Sequence, residues 1–366
     1  MRVFFKFEDL KPIEDFITCV EAFGPKAEAV YLSYNQGALH FSFWSPQGSV
    51  FYETPLDYAD KFSFGVNAKD FCKSVKKAFH SSIEFSTNKS KLILKEKNTK
   101  VSLPTQIFQR FFPPKDQISL PHEVSVFIKN ELPSIAANVR EGKNPKFPGV
   151  ILDSTPGFLC LGNFSDVAIR LSTLKLDENF GRSVIPPELA KLCKIKDPGA
   201  STILCENSFG FQLESGVCAF SPLLSDTYPQ GYFEPLGLRK NVDLIDSDKY
   251  NVYSFDAAHL LYIVDQISGV LGAEEVSTQF SVKGQDKENN PIWAISSRNF
   301  NGFGVEEVVS STGEVREVFF SVNRDNLKSF LSSYEEDILF LFEDGGNSVI
   351  LGNEDRTKIL ILLKAG

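Results

Sequence analysis

The chain has 366 residues, a hydrophobic fraction of 42%, a charged fraction of 23% and a formal net charge of −9. This length predicts two or three globular domains, and the composition allows sizeable cores. The acidic total excludes a protein that coats nucleic acid with its whole surface, although it allows one basic surface on an acidic body. No apolar run has the length of a membrane span, and charged residues interrupt the apolar N-terminus, so neither a membrane segment nor a signal peptide is expected.

The first hundred residues predict the same succession of elements twice. Apolar positions at helical spacing predict one helix from Leu10 to Val20, stopped at Gly24-Pro25, and a second from Val66 to His80. Alternating or short apolar runs bounded by turn residues predict strands at 1–8, 29–34, 38–44, 50–55, 62–66, 83–86, 91–95 and 100–103. Each succession therefore consists of a strand, a helix and three strands.

The second of these units recurs further along the chain. Three helix starts align, and the aligned segments are VNAKDFCKSVK from Val66, VIPPELAKLCK from Val184 and VNRDNLKSFLS from Val322. Three short strand patterns follow each segment. The first of the three begins with Ile83 in the first copy, Ile203 in the second and Ile338 in the third. Three copies that match over several elements in order indicate an internal repeat.

The first unit recurs as well. The sequence predicts a strand at 124–128 followed by a helix through Val139, and a strand at 250–253 followed by a helix through Ile267. We therefore predict an α+β chain of three domains, each made of two strand-helix-three-strand units. Their predicted bounds are 1–116, 117–243 and 244–366.

The helix from Val66 to His80 has one apolar and one basic face. Asn67 stands where an N-cap is expected, and Phe71, Cys72 and Val75 fall on the apolar side. The opposite side carries Lys69, Lys73, Lys76, Lys77 and His80. Such a face is typical of an ordinary solvated helix, but it also fits a polyanion that passes along it.

The aligned copies favour the polyanion. Lys191 and Lys194 match Lys73 and Lys76, and the third copy offers Arg324 and Lys328 one helical turn apart. Helices on one side of antiparallel sheets, with the sheets joined edge to edge, would form a wall whose concave inner face is lined by helices. Lysine and arginine on that face would contact phosphates without reading bases, so duplex DNA could slide along it.

On these residues the chain resembles a bacterial-type DNA polymerase sliding clamp, the β subunit class. The resemblance covers the whole chain, and its best local segments are Val66–Phe79, Leu223–Tyr232 and Ile359–Lys364. It implies three tandem clamp domains with sheets outside and helices inside. It further implies a head-to-tail homodimer that closes a six-domain ring around duplex DNA. Such a ring is a processivity factor of DNA replication, with a DNA polymerase and a clamp loader as partners.

The chain departs from the family at the pocket that receives partner peptides between the second and third domains. The family often has Gly-His-Arg where this chain has the segment from Ser165 to Leu171, and Met-Pro where it has Leu362-Leu363. By position, the resemblance assigns the pocket lining to Ile169, Leu171, Pro235, Leu236, Leu362 and Leu363. The same residues are equally typical of ordinary core. Divergence of this degree suits a virus-encoded clamp.

No motif for catalysis is found in the sequence. The four histidines lack metal-ligand spacing, and no nucleophile elbow, phosphate-binding loop or dinucleotide fingerprint occurs. The six cysteines form no C-x-x-C pair and suit a reduced core in a cytoplasmic protein. We therefore expect no enzyme, cofactor or metal site. Two alternatives stay open: a DNA-processing hydrolase whose carboxylates converge around metal ions, and a non-catalytic adaptor of tandem sheet domains.

Overall fold

The structure is a computed structural model of the chain. It describes residues 2–6, 10–25, 27–56, 61–78, 82–88, 90–96, 99–141, 149–155, 157–164, 168–224, 250–271, 277–298, 304–334, 336–343, 348–353, 355 and 357–363.

The described residues form strands separated by single helices. The helices α1 to α5 span Leu10–Ala22, Ala68–Ala78, His122–Glu141, Ala257–Leu271 and Arg324–Leu331, and a 3-10 helix spans Pro187–Lys194. Strands β1 to β8 span Arg2–Lys6, Ala29–Asn35, Ala38–Ser45, Gly48–Pro55, Phe62–Asn67, Ser82–Asn88, Lys91–Glu96 and Thr99–Gln106. Strands β9 to β16 span Ile118–Ser119, Val150–Thr155, Gly157–Phe164, Ala168–Leu176, Arg182–Ile185, Ser201–Cys205, Ser208–Gln212 and Cys218–Pro222. Strands β17 to β24 span Tyr250–Asp256, Ser277–Gln285, Pro291–Arg298, Gly304–Ser310, Phe319–Asn323, Asp337–Glu343, Ser348–Gly352 and Lys358–Leu363.

The succession of strand, helix and three strands occurs in all six units, and two elements of the middle domain differ in place or type from their prediction. Three helices begin in the same way, because the last residue of the preceding strand caps the helix. The Oδ1 atoms of Asn67, Asp256 and Asn323 accept hydrogen bonds from backbone N–H groups three residues on, at 3.0, 2.6 and 3.0 Å. This cap satisfies a donor that the first turn leaves free, so the chain passes from strand to helix without a loop.

The structure corrects two predicted elements of the middle domain. Residues 124–128 belong to helix α3 rather than to a strand, and the strand is the short pair Ile118–Ser119. Val124, Ile128, Leu132 and Ile135 are all fully buried, and their spacing of three or four residues fits a helix and not a strand. The predicted helix from Val184 is a 3-10 helix that begins only at Pro187.

The chain divides into two compact units, and the first comprises Met1–Asn130 and Glu188–Leu224. Its sheet has twelve strands in the order β1-β6-β7-β8-β5-β2-β3-β4-β16-β15-β14-β9. Helices α1 and α2 pack on this sheet and on each other. Strand β4 pairs with β16 in the register Val50 to Ala219, so the sheets predicted for the first and second domains join edge to edge.

The second unit comprises Glu131–Pro187 and Ser225–Gly366. It holds an eight-stranded sheet, β13-β10-β11-β12-β24-β23-β22-β17, and a four-stranded sheet, β20-β19-β18-β21. Strand β12 pairs with β24, which joins the second and third predicted domains edge to edge. Its core contains fully buried aromatic rings, among them Tyr253, Phe280 and Trp293. The predicted domain bounds themselves stay predictions.

No helix in the described part of the chain is long and apolar enough to cross a membrane.

Candidate nucleic-acid interface

Helix α2 has the two faces that the sequence predicts. Phe71, Cys72 and Val75 are buried, at 0%, 1% and 3% exposure, and anchor the helix on the sheet. Lys69, Lys73 and Lys76 are exposed on the other side. Lys77 lies in the last turn of α2, while His80 lies outside the described residues. The exposed ammonium groups follow from the 3.6-residue period, which separates them from the anchors.

The lysines of α2 differ in their partners. The Lys76 ammonium forms an ion pair with Glu21 Oε2 at the end of α1, where the two side chains are 43% and 41% exposed. Neither Lys69 nor Lys73 forms an ion pair with a described residue. Part of the predicted basic face is therefore neutralised within the chain, and two of its charges stay available to an anion.

The end of α1 also contacts the basic segment of the second copy. Lys191 Nζ donates a hydrogen bond to the Ala22 carbonyl oxygen at 3.1 Å. A cation at the C-terminus of a helix meets free carbonyls and the negative end of the helix dipole, so this contact is favourable. Because Glu21 and Ala22 are adjacent, Lys76 and Lys191 both contact the same end of α1. The structure thus brings together the basic residues of the first two copies.

The 3-10 helix also holds its lysines outward, because its period of three residues places Lys191 and Lys194 on a different side from Leu189 and Leu192. Leu189, Ala190 and Leu192 are buried, while Lys191 and Lys194 are exposed. The short helix ends at Lys194, so both cations lie in its last turn.

The third copy, in the second unit, differs from the prediction. Arg324 is 4% exposed and its Nε lies 3.1 Å from Asp325 Oδ1, so its side chain does not form part of an exposed basic face. Lys328 is half-exposed, and its ammonium lies 2.5 Å from Asp265 Oδ1 on α4. Arg324 therefore leaves the predicted set of DNA-facing residues, and Lys328 is already paired.

Four of the six residues assigned to a partner-peptide pocket lie on two adjacent strands. Ile169 and Leu171 belong to β12, Leu362 and Leu363 belong to β24, and Ala168 faces Leu362 in the register. Leu171 and Leu362 are 2% and 0% exposed, as in ordinary core, whereas Ile169 is half-buried. Pro235 and Leu236 lie outside the described residues.

Two buried charges lie beside these strands. Arg170 donates hydrogen bonds to the hydroxyls of Ser329 and Ser333, at 3.2 and 2.9 Å. Glu131 accepts one from the Ser172 hydroxyl at 2.7 Å and lies 2.9 Å from Lys358 Nζ. Because an unpaired charge in the interior is costly, these contacts fix α3, β12, β24 and α5 against one another.

The six cysteines are free thiols, and four of them are buried. Burial raises the pKa of the Cys72 and Cys193 thiols to about 12, and that of the Cys218 thiol to about 11. At neutral pH these thiols stay protonated, so they are poor nucleophiles and poor metal ligands.

No group of three or more His, Cys, Asp or Glu side chains that could hold a metal ion occurs within the described ranges.

Solved structures of bacterial sliding clamps resemble the chain over its whole length. A putative DNA polymerase III β subunit from Eubacterium rectale has a TM-score of 0.78 at 12% identity, with 100% of both chains covered. The sliding clamp of Caulobacter crescentus has a TM-score of 0.79 at 11% identity, again with 100% of both chains covered. That of Bacillus subtilis has a TM-score of 0.78 at 16% identity, covering 100% of this chain and 99% of the clamp.

These similarities show that the chain has the sliding-clamp fold, and they confirm the predicted fold class. No protein-family model and no curated protein sequence matches the chain. The likeness therefore lies in the order and packing of the elements rather than in residue identity.

Two carboxylates that decide which lysines are available were missed by the sequence reasoning. Glu21 and Asp265 lie on α1 and α4, far in sequence from Lys76 and Lys328. A local spacing rule predicts pairs within one helix and not between two helices. The repeat was a usable signal for both pairs, because α1 packs beside α2 and α4 packs beside α5, the corresponding helices of the first and third predicted domains.

Proposed function

We propose that this chain is a sliding clamp, which encircles duplex DNA and keeps a replicative DNA polymerase attached to its template. Two copies associate head to tail into a closed ring. The chain has no catalytic role in this proposal; it acts by topology and by weak contacts to the DNA backbone. A protein of this kind works where the chromosome is replicated, so the proposal includes a cytoplasmic location.

The observation that carries the proposal is the whole-length similarity to sliding-clamp structures, with TM-scores of 0.78 and 0.79. A fold alone does not define a function, so the surface must agree with it. The exposed lysines of α2 and of the 3-10 helix supply this support, because they form a local basic surface on a chain of net charge −9.

The proposed DNA contacts are Lys69, Lys73, Lys191 and Lys194. Lys77 and His80 join this set from the sequence alone. Lys76 and Lys328 contribute less, because each already forms an ion pair. Flexible ammonium groups act as point charges and read no bases. Because the contacts are equivalent at every position along the duplex, the ring can slide.

The proposed protein partners are a DNA polymerase and a clamp loader. We assign their peptide contact to the β12–β24 region, where Ile169 is half-buried. Leu171 and Leu362 are interior residues, so they would support the floor of such a site rather than contact the peptide directly.

The test uses a linear duplex whose two ends carry biotin. The chain is allowed to thread onto the duplex, streptavidin then blocks both ends, and the complex is washed at high salt. A ring held by topology stays on the blocked duplex, is lost from an unblocked one, and is released when a restriction enzyme cuts the blocked duplex. Equal loss from blocked and unblocked duplexes would contradict encirclement, whatever the affinity of the surface contacts.

A further inference from the structure

A pocket of about 420 Å³ lies in the first unit, on the sheet face opposite α1. Strand β3 identifies this face. Phe41 and Phe43 are 1% and 0% exposed, and Phe41 contacts Phe16 of α1 with ring centroids 5.7 Å apart. Because side chains alternate along a strand, Trp44 points to the other face, where it lines the pocket.

The floor of the pocket is a row of three side chains across three strands. Trp44 faces Ser49 in the register of β3 and β4, and Ser49 faces Phe220 in the register of β4 and β16. Phe220 is buried and packs with Ile203 and Cys205 in a small apolar cluster. The sheet thus supplies a well-packed floor that presents one exposed aromatic ring.

That ring, Trp44, is held in place by its neighbours. It is 49% exposed, although tryptophan usually buries most of its surface. Phe111, in the connecting segment 107–117 between β8 and β9, stacks parallel to the indole with ring centroids 5.7 Å apart. Phe111 packs in turn on Tyr31 of β2, at a centroid distance of 5.4 Å. A flat ligand can therefore stack on a preorganised ring with little loss of conformational entropy.

The connecting segment adds two cations and a second exposed ring. Lys115 is exposed and lines the pocket. Phe112 is 66% exposed, and the Arg110 guanidinium lies 4.7 Å from its ring centroid. Neither Lys115 nor Arg110 forms an ion pair with a described residue, so the described structure leaves both charges to an anionic ligand.

The remaining polar lining offers hydrogen-bond donors and acceptors. Asp116, Glu206 and Asn207 line the pocket and are exposed. Their carboxylates accept hydrogen bonds, and the amide both donates and accepts, as the edges of nucleobases require. The two carboxylates would repel an acidic peptide, and Lys115 and Arg110 would repel a basic one. A ligand of neutral polar rings joined by anionic groups fits this combination.

We propose that this pocket and the adjoining connecting segment bind single-stranded nucleic acid. One base stacks on Trp44 and hydrogen-bonds to the polar lining, while a neighbouring base packs on Phe112. The phosphates meet Lys115 and Arg110. The site goes beyond the proposed clamp function, and its test requires neither a ring nor a polymerase.

The chain contains an intrinsic probe of this site, because it has two tryptophans and they differ in exposure. Trp44 is half-exposed, whereas Trp293 is 0% exposed and its indole N–H donates to the Ser311 hydroxyl at 2.8 Å. The full-length chain is titrated with a single-stranded DNA of twenty nucleotides and mixed sequence, and tryptophan emission is recorded. Fluorescence anisotropy of the labelled oligonucleotide gives the dissociation constant at several salt concentrations.

Five variants separate the proposed contacts from general effects. Trp44→Leu removes the ring but keeps an apolar side chain, whereas Trp44→Phe keeps a smaller ring. Lys115→Gln removes one cation of the pocket, and Lys100→Gln is the matched control on an exposed lysine outside it. Lys73→Gln tests whether the single strand binds the basic face of α2 instead. Circular dichroism checks that each variant is folded.

The proposal predicts that the single strand quenches tryptophan emission and that Trp44→Leu abolishes the quenching. Trp44→Leu should weaken binding at least about fivefold, the lower end for one stacked base, and Trp44→Phe should weaken it less. Lys115→Gln should reduce the slope of log K against log salt by about 0.7, the value for one phosphate contact in a single strand. Lys100→Gln and Lys73→Gln should leave that slope unchanged.

Three results would overturn the proposal. They are emission that the single strand does not change, equal affinities of Trp44→Leu and the wild type, and a duplex of the same sequence that quenches Trp44 as strongly as the single strand. A polyglutamate peptide that quenches Trp44 at a lower concentration than the oligonucleotide would assign the surface to acidic peptides and would also overturn it.

Discussion

The ion pair between Lys76 and Glu21 gives a prediction that distinguishes a working DNA surface from a solvated one. Substitution Glu21→Gln removes the carboxylate that neutralises Lys76, while Lys73 on the same helix has no described ion partner. If α2 contacts phosphates, removal of the acid that neutralises one of its lysines should strengthen DNA binding. If α2 is an ordinary solvated helix, the same change should leave DNA binding as it was.

The expected magnitude follows from counterion release. Each lysine that neutralises one phosphate contributes about 0.9 to the slope of log K against log salt. Lys73→Gln should therefore reduce the slope by about 0.9, and Lys76→Gln by less than half of that because its charge is already shared. Glu21→Gln should steepen the slope by up to about 0.9. When salt is raised from 50 to 200 mM, this variant should therefore lose roughly 3.5-fold more affinity than the wild type loses.

The assay is fluorescence anisotropy of a labelled duplex of mixed sequence at several salt concentrations. Lys100→Gln, an exposed lysine on strand β8, is the control for loss of one positive charge anywhere on the protein. The variants are comparable in fold, since a half-exposed ion pair of this kind is worth at most about 1 kcal/mol of stability. Equal slopes for Lys73→Gln, Lys100→Gln and the wild type would refute the role of α2.

Three further predictions concern stability. Glu131→Ala leaves Lys358 without its partner at 2.9 Å and should lower the free energy of unfolding, measured in urea, by roughly 3 kcal/mol. Glu131→Gln keeps an acceptor and should lower it by less, so equal losses would contradict this prediction. Burial raises the pKa of Cys72 from 9.0 to about 12, so the unfolded chain loses this proton at a lower pH than the folded chain does. The free energy of unfolding should therefore fall as pH rises above 9.0. Cys72→Ala should flatten that dependence between about pH 8 and 10, and an unchanged slope would count against the prediction. A Cβ added at Gly48 would overlap a phenylalanine ring and a carbonyl oxygen, whereas a Cβ added at Gly269 would have no atom within 4 Å. In thermal unfolding, Gly48→Ala should therefore lose about 1–3 kcal/mol of stability, and Gly269→Ala should gain up to about 1 kcal/mol.

The succession of elements was predictable because local signals and the repeat agreed. Asn67 marked the start of α2 and does cap it. The turn at Gln36-Gly37 has φ values of 56° and 83°, which a glycine at the second position favours. Where a local signal stood alone, it failed: a short apolar run at 124–128 fits a strand or a buried helix equally well, and only burial in the folded chain distinguishes them.

The site was predictable only in its basic half. Spacing within α2 identifies which lysines are exposed, but it does not identify their partners. Glu21 reaches Lys76 from another helix, and burial removes Arg324 from the surface, although its sequence position matches a basic copy. Phe108 and Phe111 of the segment 107–113 pack on Tyr31 of the sheet, a contact that no local pattern in this segment predicts.

The central claim is that two copies form a closed ring around duplex DNA, and electron microscopy of the purified full-length chain tests it most directly. Particles imaged at micromolar concentration should be two-fold symmetric rings with a central hole wider than a B-form duplex. Single copies, or compact dimers without such a hole, would contradict the proposal that this chain encircles DNA.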